Sequence, residues 1–162
     1  MKYITFDQAI PHLQRYSQDA AGFDLHAAPY PTPEGRRFPT EDGYLVEPGR
    51  HVVVATGVGV EIPPGHAGLI LLRSRLGIGA GCGVHVGLID PDYRGEIFVA
   101  LFGHALTQPL LIRPYERFAQ LLLVTIITPT PERVTELSPS ARGVGMAGST
   151  GSGGIASGAR VP

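Results

Sequence analysis

The sequence predicts an all-β protein, folded as a distorted jelly roll or β-barrel. Two observations predict this class. The 162 residues include 22 Gly and 15 Pro, so turns must follow one another at short intervals. The segments between these turns alternate in hydrophobicity or are rich in β-branched residues, and no segment keeps the apolar period of an amphipathic helix for long.

Four segments carry the clearest strand pattern, and Pro or Gly bounds each of them. In chain order they are HVVVATGVGVEI (51–62), AGLILLRS (67–74), EIFVALFG (96–103) and FAQLLLVTII (118–127). Residues 29–43 are polar and Pro-rich, so we expect them in a surface loop. Only short pieces such as residues 73–76 could form a helical turn.

The composition changes after Pro139, where the sequence turns to Gly, Ser and Ala with almost nothing to bury. Such a tail cannot offset its ordering entropy by burial. We therefore expect one β domain at residues 1–139, followed by a flexible Gly-rich lid at residues 140–162.

Charge, hydropathy and cysteine content exclude several classes of protein. The formal net charge is -1 and the Lys and Arg residues do not form blocks, which argues against a nucleic acid polymer as partner. The apolar runs stop far short of the roughly 20 residues that cross a membrane, and MKYITFDQAI lacks the pattern of a signal peptide. The single Cys82 cannot form an internal disulfide, so we expect a cytoplasmic protein without membrane contact.

The stretch GLIDPDYRGEI at residues 87–97 is predicted to be a turn between two strands. An acid followed by Pro is ordinary β-turn chemistry, so Asp90 could simply cap the turn. Alternatively, a carboxylate at the mouth of a β-pocket, beside the ring of Tyr93, can take a proton from water. A general base of this kind contributes about 10² to 10⁴ in rate.

In LILLRSRLG at residues 69–77, an apolar strand ends abruptly in Arg73, Ser74 and Arg75. Guanidinium and hydroxyl groups beside the backbone N–H groups of a new turn suit an oligophosphate. The alternative is a strand end that is solvated and carries no ligand.

Two further polar residues lie in strand segments. Asp24, within AGFDLHAA at residues 21–28, is either a structural carboxylate or one that orients a hydrated Mg²⁺. Gln120, within RPYERFAQLLL at residues 113–123, could donate to a phosphate or satisfy a strand end.

In this order, the stretches resemble the five motifs of the trimeric dUTP pyrophosphatases (dUTPases). The motifs are matched by AGFDLHAA, RSRLG, GLIDPDYRGEI, ERFAQLL and RGVGMAGSTG, which together span residues 21–151. The third motif is the most specific of them. The resemblance implies a homotrimer of jelly-roll subunits, with active sites at the subunit interfaces, that hydrolyses dUTP to dUMP and pyrophosphate with Mg²⁺.

The resemblance also implies a role for each matched residue. Asp90 would activate the water that attacks the α-phosphorus, and Tyr93 would pack against the deoxyribose and exclude a 2′-hydroxyl. The backbone of the hairpin at residues 83–87 would read uracil, and Asp24 would contact the water shell of the metal rather than the metal itself. The residues expected to bind substrate are Arg73, Ser74, Arg75, Val86, Gly87, Leu88, Ile89, Asp90, Tyr93, Phe98, Gln120, Arg142, Ala147, Gly148, Ser149 and Thr150.

Three positions depart from the family pattern. Arg75 replaces a small residue, which adds a cation near the phosphates or turns the side chain outward. Tyr115 replaces the usual glycine of the turn in the fourth motif. Ala147 replaces the phenylalanine that stacks on uracil, a contact worth about 1 to 3 kcal/mol, and Met146 could supply part of it.

Two other functions remain open at this point. A dCTP deaminase-like enzyme shares the fold, although the arrangement of Asp90 and Tyr93 disfavours it. A relative that binds a nucleotide or a protein partner without hydrolysis is made plausible by the altered tail. A jelly-roll lectin or capsid module would explain the alternating strands but not five polar motifs in one order.

Overall fold

Strands dominate the described part of the chain, which comprises residues 1–29 and 42–140 of the computed structural model. A π-helical turn at Arg75–Gly79 is the one helical element of these residues, close to the helical turn expected at 73–76. The strands are β1 (Lys2–Thr5), β2 (Phe23–His26), β3 (Tyr44–Val46), β4 (His51–Glu61), β5 (His66–Leu72), β6 (Gly83–Val84), β7 (Leu88–Ile89), β8 (Glu96–Phe102), β9 (Leu110–Ile112) and β10 (Arg117–Thr125).

The four strands with the clearest sequence pattern correspond to β4, β5, β8 and β10, and each begins and ends within two residues of its prediction. The all-β prediction is therefore confirmed. Most of the expected loop at 29–43, and the expected lid apart from residue 140, lie outside the described residues.

The strands form two antiparallel four-stranded sheets and a two-stranded ribbon. One sheet has the order β1-β4-β8-β6, the other has the order β2-β10-β5-β7, and β3 pairs with β9. A single core contains side chains from all three, among them Val54 and Leu101 of the first sheet, Ile70 and Phe118 of the second, and Tyr44 of the ribbon. Two sheets that share a core in this way form the sandwich of a jelly roll.

Alternation along the strands explains which side chains enter this core. In β8, Ile97, Val99 and Leu101 are at most 1% exposed, whereas Phe98 and Ala100 between them are only partly buried. Because successive strand residues point to opposite faces, this alternation in burial identifies the inner face of the sheet.

The first of two units in the chain ends at Thr128. Residues 129–140, which follow it, form no helix or strand and are exposed. The described residues contain no helix that is long and apolar enough to cross a membrane. The domain boundary after residue 139 stays a prediction.

Candidate active site

A splayed hairpin carries the third motif. At its base β6 pairs with β8, and the next residue, His85, donates its N–H to the carbonyl of Ala100 at 2.9 Å. Beyond this point the first arm leaves β8 and joins the other sheet, where the N–H of Ile70 donates to the carbonyl of Gly87 at 3.0 Å and β7 pairs with β5. The two arms therefore part at Val86, which is exposed.

A pocket of about 190 Å³ opens between the parted arms. Five of the residues predicted to bind substrate line it. The lining residues are Leu88, Ile89, Asp90, Tyr93, Glu96, Ile97 and Phe98, of which Glu96 and Ile97 were not predicted. Val86 and Gly87 lie where the arms separate, next to the pocket.

Tyr93 is held in the wall of this pocket by backbone contacts. Its hydroxyl donates to the carbonyl of Glu96 at 2.7 Å, and its N–H donates to the carbonyl of Asp90 at 3.1 Å, which closes the turn. A Cβ on Gly95 would lie 2.5 Å from the Tyr93 hydroxyl oxygen, so only glycine permits this ring position. The pocket therefore has one flat aromatic wall in a fixed place.

Asp90 stands at the mouth of the pocket and is exposed to solvent. It also borders a second, wider cleft of about 700 Å³, so water has access to its carboxylate from two sides. The turn below it is stiffened by Arg94, whose guanidinium donates to the carbonyls of Pro91 and Tyr93 at 2.7 and 2.8 Å. A solvated carboxylate on a rigid turn is suited to accept a proton from a bound water.

A second cluster of polar residues lies at the other end of β5. Asp24, only 4% exposed, accepts hydrogen bonds from the amide of Gln120 at 3.0 Å and from the guanidinium of Arg117 at 3.1 Å. The Nε atom of Arg73 lies 3.7 Å from the same carboxylate. The structure thus brings together Asp24, Arg73 and Gln120, as predicted for the phosphate end of the site, and adds Arg117.

Two residues outside the predicted set support Arg117 from its other side. The guanidinium lies 4.0 Å from the centroid of the Tyr16 ring, a cation–π contact. The Tyr16 hydroxyl and the Nε2 atom of His26 form a hydrogen bond of 3.2 Å. Burial, and then the positive charge of Arg117, lower the pKa of His26, so the ring is favoured in its neutral form beside two arginines.

Ser74 and Arg75 follow Arg73 at the start of the π-helical turn, and both side chains are exposed. Arg75 pairs with the carboxylate of Glu116, whose other oxygen accepts the N–H of Arg113 at 3.0 Å. The second and fourth motifs are therefore connected by an ion pair that the sequence did not predict. Beside it, Tyr115 has a φ of 62°, the left-handed conformation in which glycine is usual.

Within one chain, the two groups of site residues are far apart. Ile89 pairs with Gly68 near the start of β5, so Asp90 follows at that end of the strand, whereas Arg73 comes after its last residue. Five to six residues of strand separate the two positions, which corresponds to about 17 to 20 Å. The chain alone does not bring Asp90 near Arg73 and Ser74.

The remaining predicted site residues are Arg142, Ala147, Gly148, Ser149 and Thr150, and all of them lie outside the described residues. Within residues 1–29 and 42–140, no group of three or more His, Cys, Asp or Glu residues could hold a metal ion.

The protein is thus a jelly roll with two polar clusters at opposite ends of strand β5. One end has a pocket lined by aromatic and carboxylate side chains, and the other end has a cluster of arginines. The sequence model of the dUTPase family matches residues 38–151. The chain is 39% identical over 137 residues to the deoxyuridine 5′-triphosphate nucleotidohydrolase of Bordetella pertussis, covering 83% of this chain and 84% of that one. For the enzyme of the same name from Chromobacterium violaceum, the identity is 37% over 137 residues and 83% of each chain is covered.

Among solved structures, a dUTPase from phage 80α superposes with a TM-score of 0.75 at 22% identity, covering 91% of this chain and 96% of the phage chain. The dUTPase of Staphylococcus aureus phage phi11 superposes with a TM-score of 0.70 at 20% identity, covering 84% and 96%. At these identities the structures establish the fold, and the sequence matches establish the family. The chain belongs to the dUTPase family.

Proposed function

We propose that this protein is a dUTP diphosphatase, which hydrolyses dUTP to dUMP and pyrophosphate. The observation that carries the proposal is the third-motif pocket, where Asp90, Tyr93 and Phe98 line one cavity of about 190 Å³. The names of the curated relatives give the same activity for those proteins. A cytoplasmic location, expected from the cysteine content, belongs to the same proposal.

The chemical step uses Asp90 as general base. Its carboxylate takes a proton from a bound water, and the water oxygen forms a bond to the α-phosphorus. The bond from that phosphorus to the oxygen bridging to the β-phosphate breaks, and its electron pair leaves with pyrophosphate. The exposure of Asp90 at the pocket mouth supports this role, because an attacking water must reach the carboxylate from solvent.

Uracil and deoxyribose would occupy the space between the hairpin arms. Where two strands part, backbone N–H and C=O groups that no longer pair across the hairpin are placed to recognise a planar base, and a wrong hydrogen-bonding edge leaves buried polar groups unpaired. We assign this recognition to the segment from Val86 to Ile89 and to Phe98. The fixed ring of Tyr93 would leave no room for a 2′-hydroxyl.

The triphosphate would be bound by the cluster around Asp24. The Asp24 carboxylate contacts Arg73 and Gln120 and holds them in place, and Ser74, the residue after Arg73, is exposed. Positive charge that is already oriented binds phosphate without the entropic cost of ordering long side chains. From the tail, Arg142, Gly148, Ser149 and Thr150 would close over the γ-phosphate, and Ala147 would face the base.

The separation of Asp90 from Arg73 supports a site shared between subunits. A water attacking a phosphorus starts about 3 to 3.5 Å from it, and the leaving oxygen is on the opposite side of the same phosphorus. Residues about 17 to 20 Å apart on one chain cannot serve both. We therefore propose that the hairpin of one subunit faces the Arg73 cluster of another, in a homotrimer.

Magnesium enters this proposal as part of the substrate. Asp24 is buried and both of its oxygens already accept hydrogen bonds, so this carboxylate does not fit direct coordination of Mg²⁺. Mg²⁺ typically keeps several waters and binds through substrate phosphates. The triphosphate would bring the ion, which neutralises charge on the phosphate oxygens, and contact with the protein would be through water.

Release of pyrophosphate from dUTP in the presence of Mg²⁺ tests the proposal directly. Asp90→Asn is expected to lose about 10² or more in kcat, because it removes the general base without changing the shape of the turn. Asp92→Asn, two residues along the same exposed turn, is the matched control and is expected to keep most of the activity. Ammonia release from dCTP would point instead to a deaminase, and binding of dUTP without turnover would point to a non-hydrolytic relative.

A further inference from the structure

Glu96 is a buried carboxylate at the start of β8, directly after the third-motif turn. The residue is 1% exposed, and its Oε1 atom accepts the N–H of Gly57 at 2.6 Å. Its own backbone carbonyl accepts the hydroxyl of Tyr93 at 2.7 Å. One residue thus connects the interior of strand β4 to the aromatic wall of the pocket.

The Gly57 N–H that donates to this carboxylate belongs to a bulge in β4. The pairing of β4 with β8 shifts register between Ala55 and Gly59, so that three residues of β4 face the single residue Ile97. The Thr56 hydroxyl donates to the carbonyl of Ile97 at 2.8 Å and fixes the bulge. Extra residues of this kind redirect the backbone locally.

Glycine is required at the centre of the bulge. Gly57 has a φ of 65°, and a Cβ there would lie 2.6 Å from the Cγ1 atom of Ile10. This conformation gives the Gly57 N–H a set direction, toward the carboxylate of Glu96. The hydrogen bond that holds the Glu96 side chain therefore has a donor N–H in a fixed direction.

We propose that Glu96 is a positioning residue that sets the discrimination between deoxyribose and ribose. Its side chain fixes the backbone at the start of β8, and the carbonyl of that backbone holds the Tyr93 hydroxyl. The ring of Tyr93 can then exclude a 2′-hydroxyl only while this connection is intact. The inference rests on the proposed function, because it assumes that Tyr93 faces the sugar.

The contacts explain why a side chain with an acceptor oxygen is suited to this position. The Gly57 N–H is buried in the bulge, and a buried N–H without an acceptor is destabilising. With Gly95 beneath the ring and the Glu96 carbonyl at its hydroxyl, Tyr93 is restrained at two points. Removing the anchor lets the start of β8 and the ring shift together, which opens space beside the sugar.

The test compares dUTP with UTP in the full-length protein. The measurements are kcat/KM for dUTP hydrolysis and the inhibition constant of UTP against it. Glu96→Leu removes the acceptor for the Gly57 N–H at similar volume, and we expect the preference for dUTP over UTP to fall roughly 2- to 12-fold, the effect of one lost hydrogen bond. Glu96→Gln keeps an acceptor oxygen and is expected to preserve the preference.

Two further variants separate positioning from stability. Val99→Ala removes a core side chain from the same strand without touching either hydrogen bond, so it should lower the melting temperature and leave the preference unchanged. Tyr93→Phe removes the hydroxyl at the other end of the connection and should reduce the preference even if Glu96→Leu fails to fold. The double variant of Glu96→Leu and Tyr93→Phe should lose no more than the larger single change.

The inference is overturned if Tyr93→Phe, or a folded Glu96→Leu, leaves the UTP inhibition constant and the dUTP kcat/KM at wild-type values. It is also overturned if Val99→Ala reduces the preference as much as Glu96→Leu does, because a general loss of stability then explains the effect. Absence of dUTP hydrolysis by the wild-type protein would contradict the proposed function itself, which is a separate result.

Discussion

Asp24→Asn tests whether the buried carboxylate that contacts Arg73, Arg117 and Gln120 has a structural role. The substitution keeps the size of the side chain and removes its charge. The new amide would retain an oxygen for the Gln120 side chain, but the guanidinium groups of Arg73 and Arg117, now 3.7 and 3.1 Å from Asp24, would lose their counter-ion. The perturbation is therefore electrostatic rather than steric.

The expected loss of stability follows from the burial of the three groups. At an effective dielectric constant of about 20, each charge pair contributes roughly 4 to 5 kcal/mol of attraction before desolvation is subtracted. Breaking a fully buried pair costs about 3 to 5 kcal/mol, and an exposed pair contributes about 0 to 1 kcal/mol. The side chain of Asp24 is 5% exposed, but the side chains of Arg73 and Arg117 are 31% and 35% exposed, so water can solvate them after the change. We expect the free energy of unfolding to fall by about 2 kcal/mol.

Urea unfolding at a fixed protomer concentration measures this loss, because the stability of an oligomer depends on concentration. The experiment is run without nucleotide and without Mg²⁺. Asp19→Asn, at an exposed position of the same N-terminal segment, is the control and should stay within about 0.5 kcal/mol of wild type. In the hydrolysis assay, Asp24→Asn should lower kcat/KM roughly tenfold, as Arg73 loses its orientation.

Unchanged stability of Asp24→Asn in the absence of metal, together with an altered Mg²⁺ dependence of hydrolysis, would refute this reasoning. That result would assign Asp24 to the water shell of the metal, as the family resemblance implies. A loss of stability without any metal present cannot come from such a role.

Three other predictions concern single positions. Tyr115→Gly should raise the free energy of unfolding, measured in urea, by up to about 1 kcal/mol, because it removes the strain of a side chain on a backbone with a φ of 62°. Tyr115→Ala keeps that strain, so an equal gain in Tyr115→Ala would exclude the explanation. The pKa of His26 is lowered from 6.5, so below that pH the unfolded chain binds more protons than the folded chain. The free energy of unfolding should therefore decrease as the pH falls, with a slope of at most about 1.4 kcal/mol per pH unit. His26→Gln should flatten this dependence in unfolding curves between pH 5 and 8, and an unchanged slope would contradict the prediction. Ala147→Phe restores the stacking ring that the family pattern has, and should lower the KM for dUTP roughly 5- to 150-fold; an unchanged KM would show that the tail does not cover the base.

Local sequence patterns were sufficient to predict the fold class and the main strands. The alternating or β-branched runs of β4, β5, β8 and β10, and the Pro and Gly residues that bound them, are properties of short segments. Within the third motif, Asp90 and Tyr93 stand out as candidates from one continuous stretch, whereas Leu88 and Ile89 required the family resemblance. Phe98 required the family resemblance, because it reaches the pocket from the other arm of the hairpin.

Contacts that depend on strand register were not predicted: Gln120 and Asp24 were expected in the site but not as partners, and Arg117 was not expected there. Arg117 lies opposite His26, and Gln120 lies opposite Asp24, in the pairing of β10 with β2. These partners are more than ninety residues apart in the sequence, and no local pattern specifies which of them meet. Glu96 was missed for the same reason, because its importance comes from a bulge in a different strand.

Arg75 shows how a partner that is distant in sequence changes the interpretation of a residue. Its position after Ser74 predicts an extra cation for the phosphates, whereas in the structure it pairs with Glu116. The Arg75 side chain is 75% exposed, and an exposed ion pair contributes about 0 to 1 kcal/mol. A charge-assisted hydrogen bond to a phosphate is stronger, so a bound triphosphate can compete for the guanidinium. In the structure the ion pair keeps Arg75 beside the fourth motif, and we propose that the same side chain transfers to the triphosphate when the site is occupied.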